Sequence, residues 1–264
     1  MKLDGFDPIS LAELNAKAEM LTRLDRKYVI SSSDFEALSP QFAGRFDILE
    51  VNDKRSFGYR TCYFDTERLD SYRDHVQGRR RRSKVRVRRY LDAGFSFLEV
   101  KLKSLRKTTV KKRLAYTDSA FDSLTDDALG FIDACHRELY ERAGPSVFQA
   151  VIKMQYDRLT LVAHEGGERV TIDRNLRFWN ANTTAATAQD MILIETKSRF
   201  GRGIGDTILR RAGHHPIGSC SKYCLGLATL GVVPRFNKFQ PAFRRLAPQA
   251  DGSARTALAP KVVA

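Results

Sequence analysis

The sequence predicts an α+β fold in which about eight antiparallel strands close into a β-barrel tunnel with a basic interior, flanked by helices. The first observation is that about seven segments alternate polar with apolar residues, and a period of two places alternate side chains on opposite faces of a strand. The second is that the polar positions are rich in Lys and Arg. A flat, exposed sheet of like charges would be destabilised by cross-strand repulsion. Closure into a barrel that encloses bound anions relieves the repulsion and removes the exposed edges.

The basic residues are concentrated between Arg79 and Arg113. Fifteen of these 35 residues are Lys or Arg and only two are acidic, whereas the whole chain has a net charge of +14. Lys84, Arg86 and Arg88 alternate with valines, later basic positions repeat the pattern, and a turn is predicted at 92–94. The cations of each segment therefore share one face, which we expect to contact a polyanion.

The composition is that of a globular domain with an anionic partner. At 264 residues, with 42% hydrophobic and 10% aromatic residues, the chain can fill one large core. A pI near 9.8 is compatible with nucleic acid, lipid headgroups or free phosphate compounds as partners. No apolar run approaches the length of a membrane span and the N-terminus lacks a secretion signal, so we expect a cytoplasmic protein. We predict a single domain over residues 1–233 and a flexible, basic, Pro/Ala-rich tail over 234–264.

Helical segments alternate with strands before the basic stretch. Pro8 suits the first position of a helix, and Ser33 with Glu36 fits the capping box of another helix that ends near Pro40. Gly78 closes a further helix or turn. The predicted segments are a helix from about residue 8 to 21, a strand over 22–30, a short helix over 33–40, a strand over 58–66 and a helix or turn over 68–77.

After the basic stretch, one amphipathic helix is followed by three strands. The segment from Thr125 to Arg142 has apolar residues at helical spacing and ends before Gly144 and Pro145. This helix and the first one are expected to cover the apolar outer face of the barrel. The remaining predicted segments are strands over 155–162, 169–173 and 191–199 and a short apolar helix over 221–230.

Two local sequence patterns are weak evidence for a zinc site and for a phosphate-binding loop. Cys220 and Cys224 follow two histidines, but their spacing matches no standard zinc site, so the four cysteines are expected to be reduced packing residues. Gly201, Gly203 and Gly205 resemble a phosphate loop but lack the following Lys-Ser/Thr of a P-loop and the Rossmann spacing. We expect these glycines to form a flexible turn.

Four acidic residues share the charged parity of their strands: Asp25, Glu99, Asp173 and Glu195. Such a carboxylate can pair with a neighbouring cation, which is the favoured interpretation for Asp25 and Asp173. Alternatively it can hold a divalent metal that also contacts phosphate oxygens, as Mg²⁺ does through one or two carboxylates and its substrate. We favour Glu195 as the metal ligand and place Glu99 second.

Eight short motifs, taken in order, resemble those of the VTC (vacuolar transporter chaperone) domain. That family is the polyphosphate polymerase branch of the triphosphate tunnel metalloenzymes, a CYTH-like superfamily. The resemblance spans roughly residues 21–230, and it depends on the order of the motifs because no single one is decisive. The motifs are Leu24-Asp-Arg-Lys27-Tyr, Tyr63-Phe-Asp65-Thr, Lys84-Val-Arg86-Val-Arg88, Leu98-Glu99-Val-Lys101, Tyr156-Asp-Arg158, Arg169-Val-Thr-Ile-Asp173, Leu193-Ile-Glu195-Thr-Lys197 and Ser221-Lys222-Tyr223.

The resemblance implies a tunnel that binds ATP triphosphate or inorganic polyphosphate together with Mn²⁺ or Mg²⁺. It implies that the γ-phosphate of ATP passes to the end of a growing polyphosphate chain and that ADP is released. Glu195 is the implied metal ligand, with Glu99 as the second candidate. The implied catalytic, phosphate-binding cations are Lys27, Arg86, Arg88, Lys101, Arg158, Arg169, Lys197 and Lys222. Further substrate contacts are predicted at Lys84, Lys103, Lys111, Tyr63 and the hydroxyl of Ser221.

The first strand departs from the superfamily pattern. The superfamily opens with Glu-x-Glu-x-Lys, whereas this chain has Arg23-x-Asp25-x-Lys27. The smaller number of acidic residues makes a hydrolase with two metal ions a weaker prediction and fits the polymerase branch better. Eukaryotic relatives also carry a regulatory domain and membrane helices, so we expect any coupling of this cytoplasmic protein to the inner face of a membrane to need a separate membrane protein.

Three other functions stay open. A metal-dependent triphosphatase or polyphosphate hydrolase on the same fold needs only water as acceptor, and a non-catalytic polyphosphate sensor would bind without turnover. A nucleic-acid binder would use the run Arg79–Arg82 and the basic tail. It is disfavoured because the strand cations lack the interleaved same-face aromatics of single-strand platforms. We expect Arg79–Arg82 to form a solvated entrance.

Overall fold

The strands of the protein form one branched antiparallel sheet, to which only a two-residue parallel pairing is added. The computed structural model describes residues 3–18, 24–105, 108–117 and 121–250, and in these ranges there are twelve strands and seven α-helices. The strands are β1 (Pro8–Ile9), β2 (Leu24–Ser31), β3 (Phe46–Leu49), β4 (Phe57–Asp65), β5 (Arg82–Tyr90), β6 (Phe95–Lys103), β7 (Thr109–Tyr116), β8 (Gln149–Ala163), β9 (Arg169–Trp179), β10 (Thr184–Ala186), β11 (Met191–Ser198) and β12 (Gln249–Ala250). The helices are α1 (Leu11–Lys17), α2 (Ser32–Ala43), α3 (Asp70–Gln77), α4 (Asp126–Tyr140), α5 (Ile204–Arg211), α6 (Lys222–Thr229) and α7 (Gln240–Leu246).

Eight strands follow one another in the spatial order β2-β11-β9-β8-β4-β5-β6-β7. The branches arise because β8 and β9 are long enough to have two neighbours along one edge. β8 pairs with β4 and then with β3, and β9 pairs with β11 and then with β10. The predicted number of strands in the main path is confirmed.

The main path is strongly curled around the N-terminal end of α6. In a flat sheet, β2 and β5 would lie five strand spacings apart, about 24 Å. The Lys27 ammonium on β2 nevertheless donates to the carbonyl of Cys220 at 2.8 Å, and Lys84 on β5 contacts the next residue, Ser221, at 2.9 Å. The two strands therefore face each other across a narrow space, and we call the surface lining it the inner face.

The curled sheet is not closed by hydrogen bonds, which corrects the predicted closed barrel. β2 pairs only with β11 and β7 pairs only with β6, so no ladder joins the two end strands in the part of the chain that the structure describes. The backbone N–H of Ile217 instead donates to the Lys27 carbonyl on β2 at 2.7 Å. The segment that leads into α6 thus uses a backbone group of β2 that a closing strand would need.

The apolar outer face is covered by three helices. Residues of β2, β8, β9 and β11 form one buried cluster with α2 and α5, and β4, β5 and β6 form another with α4. The expected role of α4 is confirmed. The first helix was expected on the same face, but Leu14 of α1 packs with Leu49 and Val162, which have inner-face parity. α1 and α6 therefore both lie on the inner side.

The helix starts differ from the predicted ones in two places. Pro8 belongs to a short strand, and α1 begins after Ser10, whose side chain forms a capping box with Glu13. The capping box of α2 uses Ser31 and Asp34. The N-cap therefore lies two residues before the predicted one, and Ser33 lies inside the first turn of α2. No α-helix in the described ranges is both long and apolar enough to cross a membrane.

The segment after Pro234 is folded as far as Ala250, so the predicted tail does not begin there. Tyr72 of α3 donates its hydroxyl to the Arg235 carbonyl at 2.6 Å, and the Phe239 ring stacks on His75. Phe239 and Leu246 are almost completely buried against α3 and α6. A short helix with a buried face thus replaces the expected loss of structure, and residues 251–264 lie outside the described ranges.

We expect Phe239→Ala to lower the free energy of unfolding by about 3–5 kcal/mol, because it removes a fully buried aromatic ring. Urea unfolding followed by circular dichroism measures this change. Arg244→Ala, at an exposed position of α7, which directly follows Phe239, is the control and should leave the midpoint within error. A Phe239→Ala midpoint equal to that of the control would show that this segment does not contribute to the core.

Candidate functional site

The inner face carries the cations of the main strands in aligned rows. In one row Lys84, Lys101 and Lys111 are direct register partners on β5, β6 and β7. Direct partners on antiparallel strands point to the same side. A second row joins Asp25, Lys197 and Arg169, and a third joins Lys27, Glu195 and Thr171. All sequence-predicted site residues on strands share this face, which includes Tyr63, Arg86, Arg88, Glu99, Lys103 and Arg158.

Glu99 neutralises three of the cations. Its side chain is 1% exposed, and its two oxygens accept from Arg86 at 2.7 Å, Lys111 at 3.1 Å and Arg113 at 2.9 Å. Burial raises the pKa of the Glu99 carboxyl, but the guanidinium of Arg86 and the other cations outweigh it and hold the pKa far below its usual range. Because both oxygens are committed, the geometry favours a pairing role over metal binding for Glu99.

Asp173 likewise neutralises two cations, at the other side of the inner face. It is fully buried and accepts two hydrogen bonds from Arg158, at 2.6 and 2.8 Å, together with a short contact from Lys222. Burial acts to raise the pKa of this carboxyl, but Arg158 and Lys222 prevail and lower it to about 2. Asp173 thus fixes one cation of β8 and one of α6, as the pairing interpretation predicts.

The N-terminal end of α6 is built into the inner face. Ser221 is the N-cap residue and accepts from the Cys224 backbone, while its hydroxyl also accepts from Lys84. The helix is held from behind by Tyr223, whose hydroxyl donates to the buried carboxylate of Asp65 at 2.5 Å. Asp65 also accepts from the first backbone N–H groups of α3. The positive end of the α6 dipole therefore adds to the field of the lysines.

Lys84 and Lys197 are less basic than ordinary lysines. Burial is the main cause for both. Lys27 and Lys101 add like-charge repulsion at Lys84, and Arg158 adds it at Lys197. The pKa of each falls from 10.5 to about 8. An anion placed between the walls would relieve this repulsion, so the site is electrostatically prepared for a multivalent anion.

Glu195 is less closely paired with cations than Glu99 and Asp173. Its nearest cation is Lys197 at 3.9 Å, and among the described residues it makes no hydrogen bond. Burial raises the pKa of Glu195, but Lys197, Lys27 and further lysines lower it well below the usual range, so it is ionised. Its register partner Thr171 has a buried hydroxyl without a hydrogen-bond partner in the described ranges.

These two side chains fit a hard divalent cation. A carboxylate and a hydroxyl are oxygen ligands of the type that Mg²⁺ and Mn²⁺ prefer, and Mg²⁺ is commonly held by one or two carboxylates plus substrate oxygens. No cluster of three or more His, Cys, Asp or Glu side chains suited to a metal occurs in the described ranges. A metal here would thus need phosphate oxygens to complete its coordination. The four cysteines are free and buried, as predicted, and hold no zinc-type cluster.

Aromatic rings also line the inner face, which corrects the expectation that the strand cations lack same-face aromatics. Arg88 lies over the rings of Tyr59 and Tyr156 at 5.4 and 5.9 Å, and Arg86 donates to the Tyr63 hydroxyl at 3.2 Å. Tyr59 of β4 and Tyr156 of β8 are direct register partners, and Tyr156 has the same parity as Arg158. The sequence contains this signal, since Phe97 has the same parity as Glu99 on β6. A prediction based on the charged residues alone overlooks such aromatic positions.

The glycine-rich segment after β11 holds a carboxylate of the chain itself. The buried side chain of Glu168 accepts from the Gly205 backbone at 3.2 Å, and a Cβ at Gly203 would lie 2.2 Å from it. Burial raises the pKa of Glu168 to about 7. The segment is a turn that leads into α5, as expected, and its Gly205 backbone donor is already used by the carboxyl of Glu168.

Comparison with known families decides which family this cationic face belongs to. The model of the VTC domain family matches residues 22–231, well over half of the chain. The chain belongs to the VTC domain family. This confirms the resemblance found in the sequence, and it supports a triphosphate-tunnel fold and an enzyme that acts on triphosphates. No curated protein sequence matches the chain at a significant level.

Several solved structures are similar to this VTC domain protein at low identity. The Bacillus halodurans protein bh2851 has a TM-score of 0.49 and 13% identity, with 76% of this chain and 95% of that chain covered. HpAC1 from Hippeastrum, which has a dominant triphosphatase activity, has a TM-score of 0.47 and 14% identity, with 78% of this chain and 96% of that chain covered. PH1819 from Pyrococcus horikoshii has a TM-score of 0.45 and 16% identity, with 78% of this chain and 96% of that chain covered.

We expect Asp173→Asn to lower the free energy of unfolding of this VTC domain by about 3–5 kcal/mol, since Arg158 and Lys222 lose their buried partner. Added inorganic triphosphate should restore part of the loss by binding the folded state. Thermal unfolding with and without triphosphate measures both effects. Asp157→Asn, on the outer side of β8, is the control. Equal destabilisation of the two variants would contradict the proposed pairing.

We expect triphosphate binding to take up protons near pH 8. Lys84 and Lys197 are about half protonated there in the free protein, and a bound anion raises their pKa values. Above pH 8 the affinity should fall by up to about tenfold per pH unit for each lysine that must be reprotonated. Calorimetric titration at pH 8 in two buffers of different ionisation enthalpy measures the uptake.

The matched pair for this titration is Lys84→Met and Lys112→Met. Lys112 pairs with Glu138 of α4 on the other side of the sheet, so its removal should leave the proton uptake unchanged. Lys84→Met should reduce the uptake. An observed binding enthalpy that is the same in both buffers would show that neither lysine is deprotonated at pH 8.

Proposed function

We propose that the protein is a polyphosphate polymerase that transfers the γ-phosphate of ATP to the end of an inorganic polyphosphate chain with the help of a divalent metal. The observation that carries the proposal is the arrangement of the inner face. Cations from strands on all sides converge there, Glu99 and Asp173 are hydrogen-bonded to several of them, and Glu195 lies beside Lys197 without a hydrogen bond among the described residues. That is a binding surface for several phosphates and one metal.

Some side chains of the inner face position the phosphates, and others neutralise their negative charge. Arg158 and Lys222 are fixed by Asp173, and Arg86 is fixed by Glu99, so each presents its remaining donors in a set direction. Phosphoryl transfer depends mainly on in-line positioning and on neutralising charge at the transferring group. Glu195 and Thr171 would hold the metal, which when bound supplies further positive charge to the phosphate oxygens.

The reaction needs no general base from the protein. The terminal phosphate of the acceptor chain is already ionised, its oxygen forms the new bond to the γ-phosphorus, and the bond from that phosphorus to the oxygen it shares with the β-phosphorus breaks as ADP leaves. No His or Cys side chain points to the inner face from the described strands, and burial raises the pKa of Cys220, which precedes α6, and of Cys224 on α6. The inventory of the site therefore suits an anionic acceptor better than water.

A triphosphatase would share the binding surface but would have to activate water. Among the described inner-face acids Glu99 and Asp173 are paired with cations, and the described ranges hold no cluster of three or more His, Cys, Asp or Glu side chains, which gives little support for a second metal or a base. The two activities are separated by product analysis. Polyphosphate on a stained gel supports the polymerase, whereas free phosphate without polymer would identify a hydrolase and contradict the proposal.

We expect the wild-type protein incubated with ATP and Mn²⁺ to form polyphosphate, and Glu195→Ala to lose metal-dependent turnover by at least about a hundredfold, the scale of a lost electrostatic catalytic contact. Glu165→Ala, at an exposed turn between β8 and β9, is the control. Turnover of Glu195→Ala that keeps its dependence on Mn²⁺ would overturn the metal assignment.

A further inference from the structure

We propose that an aromatic row at one end of the inner face binds the base of a nucleoside triphosphate, which makes the site selective for nucleotides as phosphate donors. Tyr156, Tyr59, Tyr90 and Phe95 are consecutive register partners on the four neighbouring strands β8, β4, β5 and β6. Their rings are in contact, with centroids 5.4, 5.1 and 4.9 Å apart along the row. The inference rests on the proposed function, whose donor it specifies.

The row runs from a buried end to an open end. Tyr156 is 1% exposed and its hydroxyl has no hydrogen-bond partner in the described ranges, while Phe95 is 46% exposed. Phe97 packs edge-on against Phe95 at 5.5 Å and widens the open end. Phe95 and the half-buried Phe97 leave an aromatic surface open to solvent at this end of the row. The open end is therefore the part of the row that can accept a flat ring.

The open end is continuous with the phosphate-binding cations. Arg88 and Arg86 lie two and four residues from Tyr90 on the same strand face, about 7 and 14 Å away. Arg88 is buried over Tyr59, so its position is fixed relative to the row. A base stacked on Tyr90 and Phe95 would direct its first phosphate to Arg88 and its later ones to Arg86. A ligand that combines an aromatic ring with a short chain of phosphates matches this order.

Single-stranded nucleic acid also combines bases with phosphates, but the geometry favours a nucleotide. Strand-binding surfaces offer successive stacking positions along an open basic groove. Here the exposed rings form one group, and both α1 and α6 occupy the inner side. The exposed rings therefore offer one stacking position at the end of the row, and the phosphate-binding cations lie beyond it on the same face.

The test compares ATP, inorganic triphosphate and a single-stranded oligonucleotide as ligands of the full chain, by calorimetric titration in the presence of Mg²⁺. Phe95→Ala should weaken ATP binding by at least about fivefold, the lower bound for a lost base–aromatic stack, and should leave inorganic triphosphate binding unchanged. Phe95→Trp should keep or improve ATP affinity. Leu105→Ala, which removes an exposed apolar side chain beyond the other end of β6, is the matched control.

Each other outcome overturns the inference. Unchanged ATP affinity in Phe95→Ala would show that the row binds no base, and an equal loss for ATP and triphosphate would give Phe95 a structural role. A loss for the oligonucleotide alone would assign the row to nucleic acid. Failure of the wild type to bind either ATP or triphosphate would refute the proposed function itself. That result differs from a Phe95→Ala variant that loses affinity for ATP and triphosphate equally, which refutes only the base-binding role of the row.

Discussion

Mutual repulsion among the inner-face cations is the constraint on which the arrangement of the rest depends. Two buried carboxylates relieve it, Glu99 on one wall and Asp173 on the other. Each binds more than one cation, so a few acids are enough to hold the walls in place. The repulsion is reduced without being removed, and together with burial, the larger cause, it lowers the pKa of Lys84 and Lys197 to about 8. The positive charge that remains favours the binding of a multivalent anion.

The curled sheet uses a helix where a closed barrel would use a strand ladder. α6 enters the space between β2 and β5 and contacts both through Cys220 and Ser221. A ladder would supply only backbone pairing, whereas the helix supplies a lysine, a hydroxyl and the positive end of its dipole. Its other side is apolar and packs on Tyr63, Met154 and other rings and aliphatic groups of the same face. One helix therefore stabilises the curl and contributes to the site.

Local periodicity is sufficient to predict which face each side chain occupies, but not which side chains pair. Lys84, Arg86 and Arg88 lie on one face because alternation is a property of a single strand. Asp173 and Lys222 are 49 residues apart in sequence, so their contact is decided by the packing of α6. Closure is mispredicted for the same reason, because it depends on what lies along the free edge of β2. The burial of α7 is likewise a tertiary effect, since a short helix has little stability of its own.

The sequence separation between β2 and α6 has a consequence for biosynthesis. The contact between β2 and the residue before α6 joins positions 193 residues apart. At typical rates of translation, β2 leaves the ribosome roughly 10 to 40 s before α6 does. During that interval the strands rich in lysine and arginine lack the helix that they enclose. The curled inner face can therefore be completed only after α6 has been synthesised.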